Sequence, residues 1–386
     1  MKPLVNKYEF NILWLFAFSL PIFSAMRLAG FSVSRLLLII YLLIFVTLML
    51  DGVKRKLDSK LLIACLVYIG WMSISLLWTP NADIRQGIAT TGVQQGMIRI
   101  FFSGCCVLMY CFVASTLFSN TCYNKILKAL FWGGIVSAIL LFIIGGDYYG
   151  EQGEVRYSLA DGVDPNYYAM NLLVPLALSL GYVKAKKVTS YLPLFLILSA
   201  IIATGSRGAM IAVAAIIGVK LLSERKYFLL ISLSVLTVLG LMSLAVIYPR
   251  FALESAMDGS GRTNIWIVMM SMIQDNFFTG VGVSGIRGAY DAYAMSSGVG
   301  MTVGHQRDAH NAYLEIFAEL GIVGILSYLY IIYRSFALNY KQRLRNVNLN
   351  IGVIGCLVCV AAISSILEES IWFCLALLAM KVGDEV

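Results

Sequence analysis

The chain has 386 residues, of which 60% are hydrophobic and 13% charged, and its formal net charge is +8. This composition excludes an ordinary soluble domain, and with it the nucleic-acid partners that a basic soluble chain would suggest. Apolar segments long enough to cross a bilayer recur along the chain. We therefore expect an all-α, polytopic membrane bundle that forms a single membrane domain over residues 1–386.

The apolar segments predict about twelve transmembrane helices. Ten are expected at residues 11–28, 34–50, 61–78, 97–118, 126–144, 167–183, 188–204, 208–222, 227–248 and 311–333. Residues 351–380 hold either two short spans, broken near Ser364–Ser370, or one long tilted helix. The first segment contains Pro21 and no convincing small-residue cleavage site, which predicts a retained span rather than a signal peptide.

Basic residues orient these spans. With the amino terminus in the cytoplasm, the basic loops at 51–60, 184–190, 223–226 and 334–350 all lie on the inner side, as the positive-inside rule requires. The loops at 145–166 and 249–310 then lie on the outer side. All eight cysteines fall in spans or in one short inner loop, so we expect no disulfide framework.

The outer side carries arginine and no lysine. All fourteen lysines lie in predicted inner loops or at inner span ends, whereas ten arginines do not: Arg27, Arg35, Arg85, Arg99, Arg156, Arg207, Arg250, Arg262, Arg287 and Arg307. A planar guanidinium suits bidentate binding of phosphate or carboxylate. We interpret Arg27, Arg35, Arg85 and Arg99 as contacts to lipid headgroups, which leaves the later arginines as candidates for a binding site.

Both outer loops contain candidate site features. The 145–166 loop holds Arg156 and the Asp164-Pro165-Asn166 element, which is also typical of a helix cap followed by a first-turn proline. In the 249–310 loop we predict a helix that begins after Arg262, lies along the membrane surface and covers the site as a lid. One face of that helix carries Ile265, Trp266, Met269, Met270 and Ile273, of which we read Trp266 and Met269 as packing residues. Residues 280–285 (GVGVSG) lack the context of a nucleotide fingerprint and predict a flexible turn.

His310 lies where the outer loop meets the last long helix, and it is one of only two histidines. After it, Asn311, Glu315 and Glu319 recur every fourth residue and form one polar stripe. Carboxylates in a membrane helix are costly unless they face the bundle interior or a wet cavity. This junction is therefore the centre of the predicted site. We interpret the other histidine, His305, as a solvated loop residue.

Three sequence elements support a family resemblance: TGSRGA at 204–209, Gly261-Arg262 with Ile265-Trp266, and His310-Asn311 with Leu314 and Gly321. They resemble the O-antigen ligase and polymerase family of bacterial surface polysaccharide assembly. The resemblance implies a multi-pass protein of the inner membrane with its site at the periplasmic face. It also implies a glycosyltransferase that uses a glycan on undecaprenyl diphosphate, without metal or cofactor. Membrane lipid, a flippase and chain-length regulator proteins are the partners expected besides the donor and the glycan acceptor.

The resemblance and the residue chemistry together suggest roles. Arg207 and Arg262 would stabilise the negative charge that develops on the leaving diphosphate, and His310 would act as general base on the acceptor hydroxyl. Nearby arginines would keep that imidazole neutral. We expect Arg156 to hold the donor, and the other predicted substrate contacts are Asp164, Asn166, Asn311, Arg287 and Arg307. For Asp164, a helix-capping role is an equal alternative.

Three functions remain open. A polymerase, which moves the growing chain onto a new lipid-linked unit, is the leading interpretation because of the elements at 164–167 and 206–209. A ligase, which joins the finished chain to the lipid A core, shares the donor chemistry and differs in the acceptor. A transporter of an anionic solute would place its charges near the bilayer midplane, whereas the candidate residues lie at outer helix ends.

Overall fold

The computed structural model describes residues 5–23, 27–28, 31–50, 55, 57–81, 92–149, 155–159, 163–184, 187–232, 262–300, 304–342, 346–364 and 368–383. Most of these residues are helical. In chain order the α-helices with assigned bounds are α1 (Lys7–Phe23), α2 (Val33–Leu50), α3 (Ser59–Ser75), α4 (Gly92–Ser115), α5 (Asn120–Ile144), α6 (Pro165–Asn171), α7 (Leu173–Leu180), α8 (Leu192–Ala203), α9 (Arg207–Ser223), α10 (Arg262–Asp275), α11 (Ile286–Ser296), α12 (Ala312–Lys341), α13 (Val347–Cys359) and α14 (Glu369–Ala379).

Several of these helices are suited to a bilayer. Five in the described part of the chain are both long and apolar enough to cross one: α2, α3 with its 3₁₀ extension to Trp78, α4, α5 and α12. The helices α1 and α9 have 17 residues each and lie at the lower limit of a spanning length. The chain is thus a multi-pass helical membrane protein in its general character, and the count of about twelve spans stays a prediction.

The helix bounds agree with the predicted spans at most positions. The predicted spans 34–50 and 208–222 correspond to α2 and α9 within one residue at each end. The predicted span 167–183 is instead two helices, α6 and α7, which meet at Leu172. Between α13 and α14 the helical ladder ends at Ala362, so the two-helix alternative for 351–380 is correct. Residues 227–232 are helical, and the rest of the predicted span 227–248 lies outside the described residues.

The expectation of an all-α chain is incomplete, because three two-stranded sheets connect helix ends. They pair β1 (Arg27–Leu28) with β2 (Phe31–Ser32), β3 (Leu117–Ser119) with β6 (Lys381–Gly383), and β4 (Gly146–Tyr149) with β5 (Val155–Ser158). Strand pairing satisfies backbone groups that the short connections would otherwise leave without partners. The loop at 145–166 therefore contains a hairpin, in which Tyr148 lies opposite Arg156.

A break in α12 shapes the site. Gly321 has φ of 62° and ψ of −163°, which interrupts the helix and frees carbonyl groups on the preceding turn. The backbone N–H groups of Val281 and Gly282 donate to the carbonyls of Ala318 and Glu319 at 2.8 and 2.9 Å. In a membrane helix, such freed groups are tolerated only when neighbouring protein satisfies them. Residues 280–282 are accordingly buried and hydrogen-bonded in the break, so this turn is fixed rather than flexible.

Helix packing brings the ends of distant segments together. The helix α12 packs against α3 and α14, α14 packs against α4, and α13 packs against α7 and α9. As a result, the starts of α4, α6, α9, α10 and α12 meet the end of α13. We call this the site end of the bundle. It is the end that the basic-loop pattern predicts to be outside.

Candidate functional site

His310 lies in a constrained turn immediately before α12. Its backbone has φ of 47°, a left-handed conformation, and the next residue, Asn311, is the N-cap of the helix. The Asn311 side-chain oxygen accepts hydrogen bonds from the N–H groups of Tyr313 and Leu314. On the other side, the Trp266 indole donates to the carbonyl of Ala309 at 3.0 Å. The predicted lid helix α10 and the α12 cap thus hold the histidine from both sides.

The surroundings of His310 favour its neutral form. Burial lowers the pKa of its imidazole below the ordinary value of 6.5, and the charge of Arg262 lowers the pKa further. Asp308, Asp164 and Glu315 act in the opposite direction but do not outweigh these effects. A neutral imidazole at neutral pH is what a general base requires. The direction agrees with the predicted neutral imidazole, but burial contributes more than the arginine does, and the catalytic role stays a prediction.

Arg156, on β5, anchors a hydrogen-bonded network. Its Nε donates to the carbonyl of Thr204 at 2.9 Å, and its Nη2 donates to the Asn166 side-chain oxygen at 2.9 Å. Asn166 in turn donates to Asp164, whose carboxylate caps α6. The side chain of Arg156 is buried. Arg156, Asp164 and Asn166 thus bind one another and the turn that leads to Arg207, so the capping alternative for Asp164 is present in the structure.

Arg207 and Arg262 each occupy the first position of a helix. Arg207 follows the N-cap Ser206 at the start of α9, and Arg262 opens α10. Both helix starts lie against Ala362. Arg262 donates to the carbonyl oxygen of Ala362 at 3.0 Å, and a Cβ added at Gly208 would lie 2.7 Å from the Ala362 Cβ. A helix amino terminus carries partial positive charge. Two arginines placed there create a local potential that favours a bound anion.

Two arginines that we predicted to contact lipid headgroups instead form ion pairs within the bundle. Arg99 on α4 binds Glu319 at 2.8 Å and also binds Glu315, both on α12. Arg35 on α2 binds Glu369 at 2.6 Å. The headgroup interpretation of Arg35 and Arg99 is therefore wrong, since their partners lie more than two hundred residues away in sequence. The same prediction for Arg27 and Arg85 concerns side chains outside the described residues.

The other two predicted contacts lie on the lid side. Arg287 binds Asp308 through two hydrogen bonds, with Nε to Oδ1 at 2.7 Å and Nη2 to Oδ2 at 2.5 Å. Burial alone would raise the pKa of Asp308, but the hydrogen bond and charge of Arg287 outweigh it and lower the pKa. Arg307 folds back over Gly304, whose added Cβ would lie 3.1 Å from the Arg307 Nε. The predicted substrate contacts of both arginines stay predictions.

The remaining sequence-based expectations concern packing. His305 is exposed and its imidazole contacts Asp291 at 3.0 Å, which agrees with a solvated loop residue. The buried face of α10 comprises Ile265, Val268, Met269, Met272 and Ile273. Met270 was wrongly assigned to that face, because it is 46% exposed. All eight cysteines are free thiols.

Residues 192–329 match the family model described as O-antigen ligase. The matched segment contains the Arg207 turn, Arg262, His310 and the Gly321 break, whereas Arg156 and its network precede it. None of the curated proteins matches the chain. The predicted family resemblance is thus confirmed over these residues, which match the O-antigen ligase model and make up 138 of the 386 residues of the chain.

Proposed function

We propose that this protein transfers a glycan from undecaprenyl diphosphate to a sugar hydroxyl at the periplasmic face of the bacterial inner membrane. The family match supports the general class of activity. The single observation that most favours the mechanism is the position of His310, partly buried before α12, where burial and the charge of Arg262 lower its pKa. A neutral imidazole has a ring nitrogen without a proton, and that nitrogen can accept the proton of a hydroxyl group.

The proposed step is a displacement at the anomeric carbon of the donor. His310 takes the proton of the acceptor hydroxyl, whose oxygen forms the new glycosidic bond. The bond from the anomeric carbon to the diphosphate oxygen breaks, and the electron pair leaves with the diphosphate. Arg207 and Arg262 stabilise that growing negative charge, most strongly in the transition state. Arg156, which we predict to hold the donor, also binds Thr204 and Asn166 and so supports the Arg207 turn.

The polymerase is our leading candidate, on the elements at 164–167 and 206–209. The ligase is kept because the family description names that activity. An anionic-solute transporter is disfavoured by where the charges lie. Arg99 and Glu319 each follow the first residue of their helix by seven positions, or about 10 Å along the axis. Counted from the helix start, that depth lies on the outer side of the midplane of a ~30 Å hydrocarbon core.

The test uses purified protein in lipid nanodiscs, supplied with undecaprenyl diphosphate-linked repeat units. Elongated glycan on the carrier lipid, without any other acceptor, is the result expected of a polymerase. Product that appears only after addition of lipid A core would favour the ligase. If correctly inserted and folded protein forms neither product, the proposal is contradicted. Folded but inactive protein is distinguished from misfolded protein by its unfolding transition in the same nanodiscs.

A further inference from the structure

A second compartment adjoins the predicted reaction centre. It is a cavity of about 410 Å³ at the site end, within the ~300–1,000 Å³ range of small-molecule sites. Two of its lining residues are close neighbours in sequence of predicted site residues: Tyr167 directly follows Asn166, and Asp308 lies two residues before His310. His310, Arg207 and Arg262 themselves do not line it. The cavity is therefore beside the reaction centre and separate from the predicted phosphate contacts.

The charge of this cavity differs from that of the Arg207 region. Its three arginines, Arg35, Arg99 and Arg287, each bind a carboxylate of the protein. Its lining also holds four carboxylates: Asp308, Glu315, Glu319 and Glu368. Each guanidinium in the lining therefore already has a carboxylate of the protein as its partner, and the partner of Arg35 is Glu369, outside the lining. A diphosphate would have to displace these carboxylates to bind here, because the guanidinium groups are already paired.

The Arg207 region combines arginines with helix amino termini, which carry partial positive charge. Arg207 and Arg262 open α9 and α10, and Arg156 donates to the carbonyl of Thr204 just before the start of α9. His310 connects the two compartments: it follows Asp308, which lines the cavity, by two residues, and Trp266 of the helix that Arg262 opens donates to the carbonyl of Ala309. A proton acceptor between an arginine-rich region and a cavity whose arginines are already paired matches a reaction that joins a diphosphate-linked donor to an uncharged acceptor.

The remaining lining suits sugar hydroxyls. Gln95, Ser284 and Ser364 add amide and hydroxyl groups to the carboxylates and guanidinium groups. These groups accept and donate hydrogen bonds over a short distance, as neighbouring sugar hydroxyls require. We propose that the cavity is the acceptor subsite and binds the terminal one or two uncharged sugars of the acceptor glycan. This inference rests on the proposed function and identifies the acceptor side of the same site.

The experiment measures two binding reactions separately, without transfer. The acceptor probe is a one-repeat oligosaccharide released by mild acid from the host's own surface polysaccharide. The donor-side probe is undecaprenyl diphosphate alone, which carries no sugar. Both are titrated into wild-type protein and into Gln95→Ala and Glu368→Gln, two substitutions on different elements of the cavity. Asn124→Ala is the control, because Asn124 lines another cavity, of about 300 Å³, with residues of α5, α7 and α13.

Each cavity variant should raise the Kd of the oligosaccharide about ten-fold, as expected for loss of one hydrogen bond to a charged or amide group. The Kd of undecaprenyl diphosphate should stay within about two-fold, and Asn124→Ala should change neither. An equal loss of undecaprenyl diphosphate binding would assign the cavity to the donor and overturn the inference. Unchanged oligosaccharide binding in both variants, or no binding to the wild type, would also overturn it.

Failure of the proposed function would look different. A wild-type protein that transfers no glycan, yet binds the oligosaccharide in a manner sensitive to Gln95 and Glu368, would refute the transfer reaction and retain the sugar site. A wild-type protein that transfers glycan normally, with both cavity variants unaffected in binding, would retain the reaction and refute the acceptor subsite.

Discussion

The buried cluster of Arg99 with Glu315 and Glu319 gives the sharpest stability prediction. The three side chains are 13%, 8% and 4% exposed, so their charges are mostly removed from water. Replacement of Arg99 by methionine would leave two carboxylates, one turn apart on α12, without their cation. Removal of one partner from a buried pair costs about 3–5 kcal/mol, mainly because the remaining charge stays buried. We therefore expect Arg99→Met to lower the free energy of unfolding by about this amount.

The measurement is denaturant unfolding of purified protein in mixed micelles. The matched control is Lys226→Met, because Lys226 pairs with Glu224 at 2.6 Å but is 56% exposed, and such a pair contributes about 0–1 kcal/mol. Adding Glu315→Gln and Glu319→Gln to Arg99→Met should recover about half of the loss, since no buried charge then remains unpaired. Equal destabilisation by Arg99→Met and Lys226→Met, or no recovery in the triple variant, would refute the reasoning.

Three further predictions concern the turn, the diphosphate contact and the base. Gly280→Ala should lower the free energy of unfolding by at least about 3 kcal/mol, because φ is 69° and the new Cβ would lie 2.2 Å from a carbonyl oxygen. Gly298→Ala, with φ of 77° but open space around the new Cβ, should cost only about 1–2 kcal/mol in the same unfolding assay. Equal costs would contradict the fixed turn. Arg207→Lys should lose nearly as much transfer activity as Arg207→Ala, since lysine lacks the bidentate fork, and a lysine variant with near-normal polymer yield would make Arg207 a simple point charge. Transfer activity should persist as pH falls through 6.5 and decline only below the lowered pKa of His310. Arg262→Gln should raise that pKa, so the midpoint of the decline in a pH–rate profile should move to higher pH. If Arg262→Gln leaves this midpoint unchanged, Arg262 does not influence the pKa of the catalytic base.

Much of the helical framework could be predicted because span bounds depend on local hydropathy. The start of α9 at Arg207 is an example, since Ser206 provides a local cap and the apolar residues follow directly. The polar stripe of Glu315 and Glu319 was also visible as a four-residue spacing. Its partner was not, because Arg99 lies 220 residues before Glu319 and only the packing of α4 and α12 through their neighbours brings them together.

The break in α12 was hidden for a similar reason. A glycine at 321 is compatible with an uninterrupted helix, and the interruption depends on the hydrogen bonds that residues 281 and 282 supply. The hairpin in the 145–166 loop likewise depends on pairing between strands rather than on a local pattern. The predicted site residues around Arg156, Arg207, Arg262 and His310 share one end of the bundle. The charged cavity beside them is made largely of residues that sequence reasoning assigned to other roles.

The direct test of the proposed reaction is His310→Gln, because glutamine can form a hydrogen bond in place of the imidazole but cannot accept a proton near neutral pH. Transfer by the purified variant in nanodiscs should fall by a factor of roughly 10²–10⁴, while its affinity for the undecaprenyl diphosphate-linked donor stays within about two-fold of wild type. His305→Ala, five residues earlier in the exposed loop, should retain most of the activity. A glutamine variant with normal transfer rate, or one that loses donor affinity in step with its activity, would contradict the assignment of His310 as the base.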